Sequence, residues 1–294
     1  MNLKKVKPYI KATISLSLIG YLVVLVDWEK VGQLSWWTFG VILAGSCCVL
    51  LEIIFVAGRW IVLLQKVQKR RLNFKDAYKG YLIGAFFSIF MPGAIGGDIV
   101  RIKYCSDHCK IKLKVSGVIV ATERLFGLAA LCIYFFNGLI FGGIWLLKDR
   151  FSGSDIGFMT AGGVVGAGLL FFLCKQIDIT ARSSFNALVL SLAAQGIDML
   201  VAFAFLNFLY PEARFYWILI VMPLAFLATV LPISLGGLGV REGMIAGVLT
   251  LFHVDVSLAI LFSFMIYISK VIVGLIGGAT FLMNKTSYRD EVLI

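Results

Sequence analysis

The chain has 294 residues, 60% of them hydrophobic and 15% charged, with a formal net charge of +11. A soluble domain runs nearer half apolar and a quarter charged, so this composition points to a bilayer as solvent and to one integral membrane unit. The basic residues sit between apolar stretches, which the positive-inside rule explains and nucleic-acid binding does not.

A membrane helix needs about 20 apolar residues. Taken in chain order, six stretches meet that need, near 9–26, 36–64, 116–147, 156–174, 185–209 and 256–283. The first follows a basic start, "MNLKKVKPYIK", but no small-x-small cleavage site precedes "DWEK", so a retained span is expected rather than a signal peptide. Two further apolar stretches, 80–91 and 215–231, are too short to cross and end at Pro92 and Pro232. A half-length apolar run closed by a breaker predicts a re-entrant hairpin, whose irregular backbone is tolerated only where protein or a water-filled cavity covers it. The expected fold class is therefore an all-α polytopic membrane protein of about six spans and two re-entrant hairpins.

The segments "QKVQKRRLNFKDAYK", "RIKYCSDHCKIKLK", "KKVK" and "CKQIDITARSS" are basic, whereas "DWEKVGQLS", "KDRFSGSD" and "YPEAR" are not. Putting the basic set in the cytoplasm places both termini there and enters the two hairpins from opposite sides.

The hairpins repeat one another. Residues 85–101, "AFFSIFMPGAIGGDIVR", align without a gap on 225–241, "AFLATVLPISLGGLGVR", at a constant offset of 140. Pro92/Pro232, Gly96/Gly236, Gly97/Gly237 and Arg101/Arg241 are among the identities. The flanks agree, giving one repeat over about 36–147 and a second over about 185–283, with 1–26 as an extra span and 156–174 as a connecting span. Opposite entry sides make the repeat inverted, an arrangement in which binding sites lie between the halves near mid-membrane. The prolines end the descending half-helices, the glycines permit close backbone approach, and each following helix starts inside the protein with free N–H groups. Arg101 and Arg241 lie about one turn into those helices, and a guanidinium can bond two oxygens of a phosphate. Asp98 can cap the first helix; its counterpart is Leu238, so the copies are electrically unequal. Read structurally instead, the same features are a turn and a snorkelling arginine.

Ionisable residues within spans default to functional hypotheses. Glu52 and Arg59 are seven apart, so on one helical face; Glu123 and Arg124 open the span after the first hairpin; Glu242 follows Arg241; Asp198 and Lys270 are mid-span and can pair. The structural alternative is that these charges lock helices together. Four of the six cysteines lie in apolar stretches, and Cys105 and Cys109 flank His108 with only His253 elsewhere, so neither a metal site nor a disulfide scaffold nor a cofactor is expected. No HExxH, GxSxG or P-loop occurs, which points away from an enzyme.

The stretches "MPGAIGGDIVRIKY", "ATERLFGL" and "LPISLGGLGVREG" resemble the lysylphosphatidylglycerol synthase transmembrane-region family, or flippase-like membrane proteins, which include the membrane half of the multiple peptide resistance factor. The resemblance covers nearly the whole chain and implies a stand-alone member without the soluble synthase domain, in a bacterial cytoplasmic membrane. It implies a lipid translocase for a phosphate-bearing or aminoacylated lipid, with phospholipid or glycolipid as cargo and Arg101, Arg241, Asp98 and the glycine pairs at the headgroup. The alternatives are a non-transporting scaffold that docks a lipid-modifying or glycosyl-transfer enzyme on loops 65–79 and 101–114, and an intramembrane transferase using Glu123 or Asp198 as base. Lipid identity, energy source and oligomeric state are not encoded in any motif.

Overall fold

The computed structural model describes residues 20, 24, 36–65, 67, 68, 70–90, 96–142, 179–230 and 239–292, with side chains of the last helix as far as Met283. All but residues 20 and 24 of the expected span 9–26, and all of 156–174, lie outside the described residues, as do Pro92, Pro232, Gly236 and Gly237.

Among the described residues are eight α-helices and no strand: α1 (Trp37–Leu64), α2 (Phe74–Phe90), α3 (Gly96–Cys109), α4 (Leu113–Phe141), α5 (Ala181–Leu209), α6 (Phe215–Val230), α7 (Val240–Thr250) and α8 (Val256–Val292). Four of them, α1, α4, α5 and α8 as far as Met283, are long and apolar enough to cross a membrane. At about 1.5 Å per residue each exceeds the roughly 30 Å hydrocarbon core. The chain is thus an all-helical, multi-pass membrane protein. Its outward apolar side chains, such as Phe39, Leu43, Leu51 and Ile54 on α1, are exposed because lipid is their solvent.

Two helices run past their hydropathy bounds into polar sequence, and a third holds an internal proline. Helix α2 begins at Phe74 rather than near 80, with Ala77 N–H bonded to the Asn73 carbonyl at 3.0 Å. Its first turns carry Lys75, Asp76 and Lys79, so a hydropathy window sees a loop where the backbone is already helical. Helix α8 continues through the polar tail to Val292 for the same reason. Helix α6 runs through Pro223, which the sequence reading passed over in favour of Pro232. A proline inside a membrane helix removes one backbone hydrogen bond without ending the helix when neighbours cover the gap.

The helices pair in a pattern that maps onto itself when α1–α4 are exchanged for α5–α8. Helix α1 packs along α5; α2 packs on α8 as α6 packs on α4; α1 touches α8 as α5 touches α4. Gly45 lies against Val201 and Phe205, while Gly58 and Arg59 lie against Leu190 and Ser191, so α1 and α5 run antiparallel.

Packing follows α1 in three layers. Ile42 joins a cluster with Phe205, Ile218 and Phe262. Val49, Ile53 and Val56 join Leu82, Ala194 and Val273. Trp60, Leu63 and Leu64 join Cys105, Cys109 and Ile119, which places the cysteine pair as apolar filling.

Small residues set the closest crossings. A Cβ on Gly277 would overlap the Leu82 carbonyl, and one on Gly278 would strike the Phe86 ring, so α2 and α8 touch nearly backbone to backbone. Gly277→Val is expected to destabilise by about 1–3 kcal/mol or more through forced separation of α2 and α8. Gly247→Ala, where an added Cβ meets nothing, is expected to gain up to about 1 kcal/mol from helix propensity. Thermal denaturation of both variants in detergent, with opposite signs of Tm shift, checks the pair.

Candidate functional site

The α2–α3 crossing is the first device that builds the site. Where a Cβ on Gly97 would stand, the Ser88 hydroxyl and Gly84 carbonyl already lie, and one on Gly84 would meet the Arg101 stem. Only glycines let α3 begin this close to α2, and the result is a helix N-terminus on the wall of a cavity. Helix α7 begins at Val240, the counterpart of Val100, after Gly239 at φ 83, a left-handed conformation that glycine adopts without strain.

The cavity holds about 450 Å³, within the range of small-ligand sites, and all eight described helices contribute to its walls. Its charged lining is Arg59, Arg101, Arg124, Arg241 and Lys270 against Glu52, Asp98, Glu123 and Asp198. Apart from Glu242, every intramembrane charge singled out in the sequence is therefore on one surface, although the residues come from six different helices. Gly97 is also on that wall; Gly96 is buried beside it.

The charges divide into two groups. In the first, Glu123 is 1% exposed and is the acceptor for three donors. Arg59 donates to it from Nε at 3.3 Å and Nη2 at 3.2 Å, Arg101 donates from Nη2, and the Tyr81 hydroxyl donates as well. Arg59 also reaches Ser191 Oγ on α5 at 2.9 Å. The Arg101 guanidinium lies 3.7 Å from the Tyr81 ring centroid and 4.6 Å from that of Trp60, a stacked cation–π cage, and pairs with Asp98 at 3.5 Å. Its Nε is buried and has no hydrogen-bond partner among the described residues. Asp98 pairs with Arg124, whose side chain is 37% exposed. Expected as a cap, Asp98 lies inside the first turn of α3, which begins at Gly96, and its side chain makes ion pairs with Arg101 and Arg124.

In the second group Lys270 pairs with Asp198 at 3.3 Å, joining α8 to α5. Glu52 faces these two. Although Glu52 and Arg59 share a helical face, they part: one joins Asp198 and Lys270, the other Glu123. Arg241 pairs with its neighbour Glu242, from Nη2 at 2.5 Å and Nε at 3.1 Å, and lies 5.4 Å from the Tyr267 ring. Glu242 also accepts the Gly239 N–H at 2.7 Å, capping α7, which accounts for its burial behind the cavity wall.

The two repeat-related arginines have different surroundings. Around Arg101 stand Trp60, Tyr81 and Glu123; around Arg241, among the described residues, stand Glu242 and the Tyr267 ring. Arg101 is locked by aromatic and acidic partners, whereas Arg241 keeps one acid and one ring. Sequence reading missed Trp60, Tyr81, Ser191, Gln195 and Tyr267, because no local spacing links an aromatic ring to a guanidinium on another helix.

Chemically, the cavity can accept a charged group without isolating a charge. A ligand oxygen can take the Arg101 Nε–H or join Glu242 on the remaining Arg241 donors, so that neither ion is left unpaired.

The family model described as lysylphosphatidylglycerol synthase TM region matches residues 9–278, and the chain belongs to that family. No curated protein and no solved structure matches the chain significantly.

Truncating the shared acid is the sharpest test of the first group. Glu123→Ala leaves Arg59 and Arg101 buried without their carboxylate and is expected to cost about 3–5 kcal/mol. Asp107→Asn, at the exposed Lys103–Asp107 pair, is expected to cost about 1 kcal/mol or less. Thermal unfolding in detergent should separate the two by many degrees, and equal shifts would contradict the assignment.

Proposed function

We propose that this member of the lysylphosphatidylglycerol synthase TM region family is a lipid translocase that passes a phosphate-bearing or aminoacylated headgroup between leaflets while the acyl tails stay in lipid. The observation that carries the reading is the cavity: about 450 Å³, charged, and lined from every described helix of a membrane protein. A pocket of that size takes a headgroup and excludes two acyl chains.

In this reading the two halves are an inverted repeat. The constant offset of 140, the exchange-symmetric helix pairing and the antiparallel run of the equivalent helices α1 and α5 support it. Rocking one half against the other would open the cavity to each side in turn. The basic segments face the cytoplasm of a bacterial cell with both termini, by the positive-inside rule.

Roles follow from the partners. Arg241 and Arg124, the less enclosed guanidiniums, engage the phosphate, with the α3 N-terminus and Arg101 Nε completing the anion side. Arg101 and Arg59 chiefly hold the first half together through Glu123. Glu52, Asp198 and Lys270 form the opposite, acid-rich wall, where an amine-bearing headgroup finds carboxylates and where Asp198 is placed for proton coupling.

The test is leaflet exchange in liposomes carrying headgroup-labelled anionic, zwitterionic and cationic phospholipids, read by accessibility to an aqueous quencher. Wild type is expected to exchange at least one class faster than empty liposomes. Arg241→Ala is expected to slow it about tenfold or more, the loss of one charge-assisted hydrogen bond of roughly 1.5–3 kcal/mol. Exchange no faster than empty liposomes for every headgroup would overturn the translocase reading and favour the scaffold; unchanged exchange in Arg241→Ala would remove Arg241 from the path.

A further inference from the structure

Outside the cavity, the densest chemistry lies at one end of the helix bundle. Three segments far apart in sequence meet there around the cluster that contains Leu64, Leu72, Cys109 and Ile111, with Ile179 packed against it. They are the chain before α2 with the first turns of α2, the later turns of α3 with the α3–α4 turn, and the start of α5. The stretch before α2 is fastened to the end of α3 by the Arg70 N–H on the Cys109 carbonyl at 3.1 Å, so the arrangement is built into the fold.

These segments carry nine exposed cations: Arg70 and Arg71, Lys75 and Lys79, four lysines between positions 103 and 114, and Arg182. Only Asp76 and Asp107 oppose them among the described residues, and Asp107 is paired with Lys103 at 3.0 Å. The opposite end, around Ala213 and Val254, is different: residues 210–214 and 251–255 hold Glu212, Arg214 and Asp255. Orientation in the membrane needs an imbalance of a few charges, and nine on one face exceed that need.

What these cations would meet is indicated by their neighbours. Phe74, Leu113 and Phe185 lie among them and are 45%, 54% and 67% exposed. Lysines and arginines alternating with exposed apolar side chains suit the level where headgroup meets acyl chain, with the rings in hydrocarbon and the charges at phosphate. A soluble acidic protein or a nucleic acid would leave those rings in water.

We propose that this basic collar is a binding surface for anionic phospholipid headgroups of the leaflet it faces, held as bound lipids distinct from any lipid inside the cavity. None of its residues lines the cavity, so the proposal stands independently of leaflet exchange.

The experiment reconstitutes the full chain in vesicles of equal phosphatidylglycerol and phosphatidylcholine, extracts it in mild detergent and measures co-purifying lipid by mass spectrometry. Wild type is expected to enrich phosphatidylglycerol at least about threefold over the bulk ratio, and the enrichment is expected to fall as salt rises. The variant K75Q/K79Q/K112Q/K114Q, whose four positions are exposed, is expected to return most of the way to the bulk ratio. A wild-type ratio equal to bulk, a salt-independent enrichment, or full enrichment in the variant would overturn the proposal. So would retention of an acidic protein or nucleic acid without phosphatidylglycerol enrichment. Lipid held in the cavity would also count in the wild-type ratio, so the collar variants decide; K103Q/K110Q/R182Q, at three other exposed collar positions, is expected to lower the enrichment likewise and keeps the test intact if the first variant misfolds.

Discussion

The constraint on which the structure depends is that no charge within the membrane can stand alone. Glu123 shows how it is met: one carboxylate takes Arg59 from α1, Arg101 from α3 and Tyr81 from α2, and Arg59 carries the link to Ser191 on α5. Five helices are thereby joined at one acid. In water such a network would contribute little; in hydrocarbon, leaving a member unpaired costs several kcal/mol, so the pairs dictate which helices are neighbours. The half-length helix α3 is held at its start by this network, since Asp98 and Arg101 near its N-terminus both bind partners on α4.

A second requirement is close approach without apolar driving force, because lipid is as apolar as leucine. The crossings at Gly84/Gly97, Gly45/Phe205 and Gly277/Leu82 answer it with glycine. Together, glycine crossings and charge pairs determine the cavity's shape. Glycine brings α2 and α3 to a common wall, and the charges that stabilise that wall are the same groups that give it chemistry. Structural and functional readings of the intramembrane charges are therefore not exclusive: Arg101 and Arg59 are mainly locks, while Arg241 and Arg124 keep the exposure that a ligand needs.

Much of this was legible in the sequence, for identifiable reasons. Spans α1, α4, α5 and α8 are long apolar runs, and their extents follow from hydropathy. The correspondence of α2 with α6 follows from the offset of 140, which Arg101 and Arg241 share, whereas α3 already begins at Gly96, inside the glycine pair that the pattern treats as a break. The Asp198–Lys270 pairing was foreseeable because both are mid-span with few other partners. What escaped was anything carried by distant contacts or by polar helix. Helix α2 starts in a basic stretch, α8 ends in a polar one, and the Arg101 cage needs Trp60 and Tyr81, 41 and 20 positions upstream. The separation of Glu52 from Arg59 could not be read from spacing, because helical phase fixes a shared face and says nothing of which neighbour each charge meets along it.

The central claim is that one cavity, walled by both halves, receives a lipid headgroup. Its most direct test is photo-crosslinking of a phospholipid bearing a diazirine on the headgroup to the reconstituted protein, with the labelled residues mapped by peptide mass spectrometry. The account predicts label on cavity residues of both halves, Tyr81 or Ser88 from one and Tyr267 or Thr229 from the other, reduced by excess unlabelled lipid. Label confined to the outward apolar faces, such as Phe39, Leu275 and Leu282, with none on the cavity walls, would contradict it.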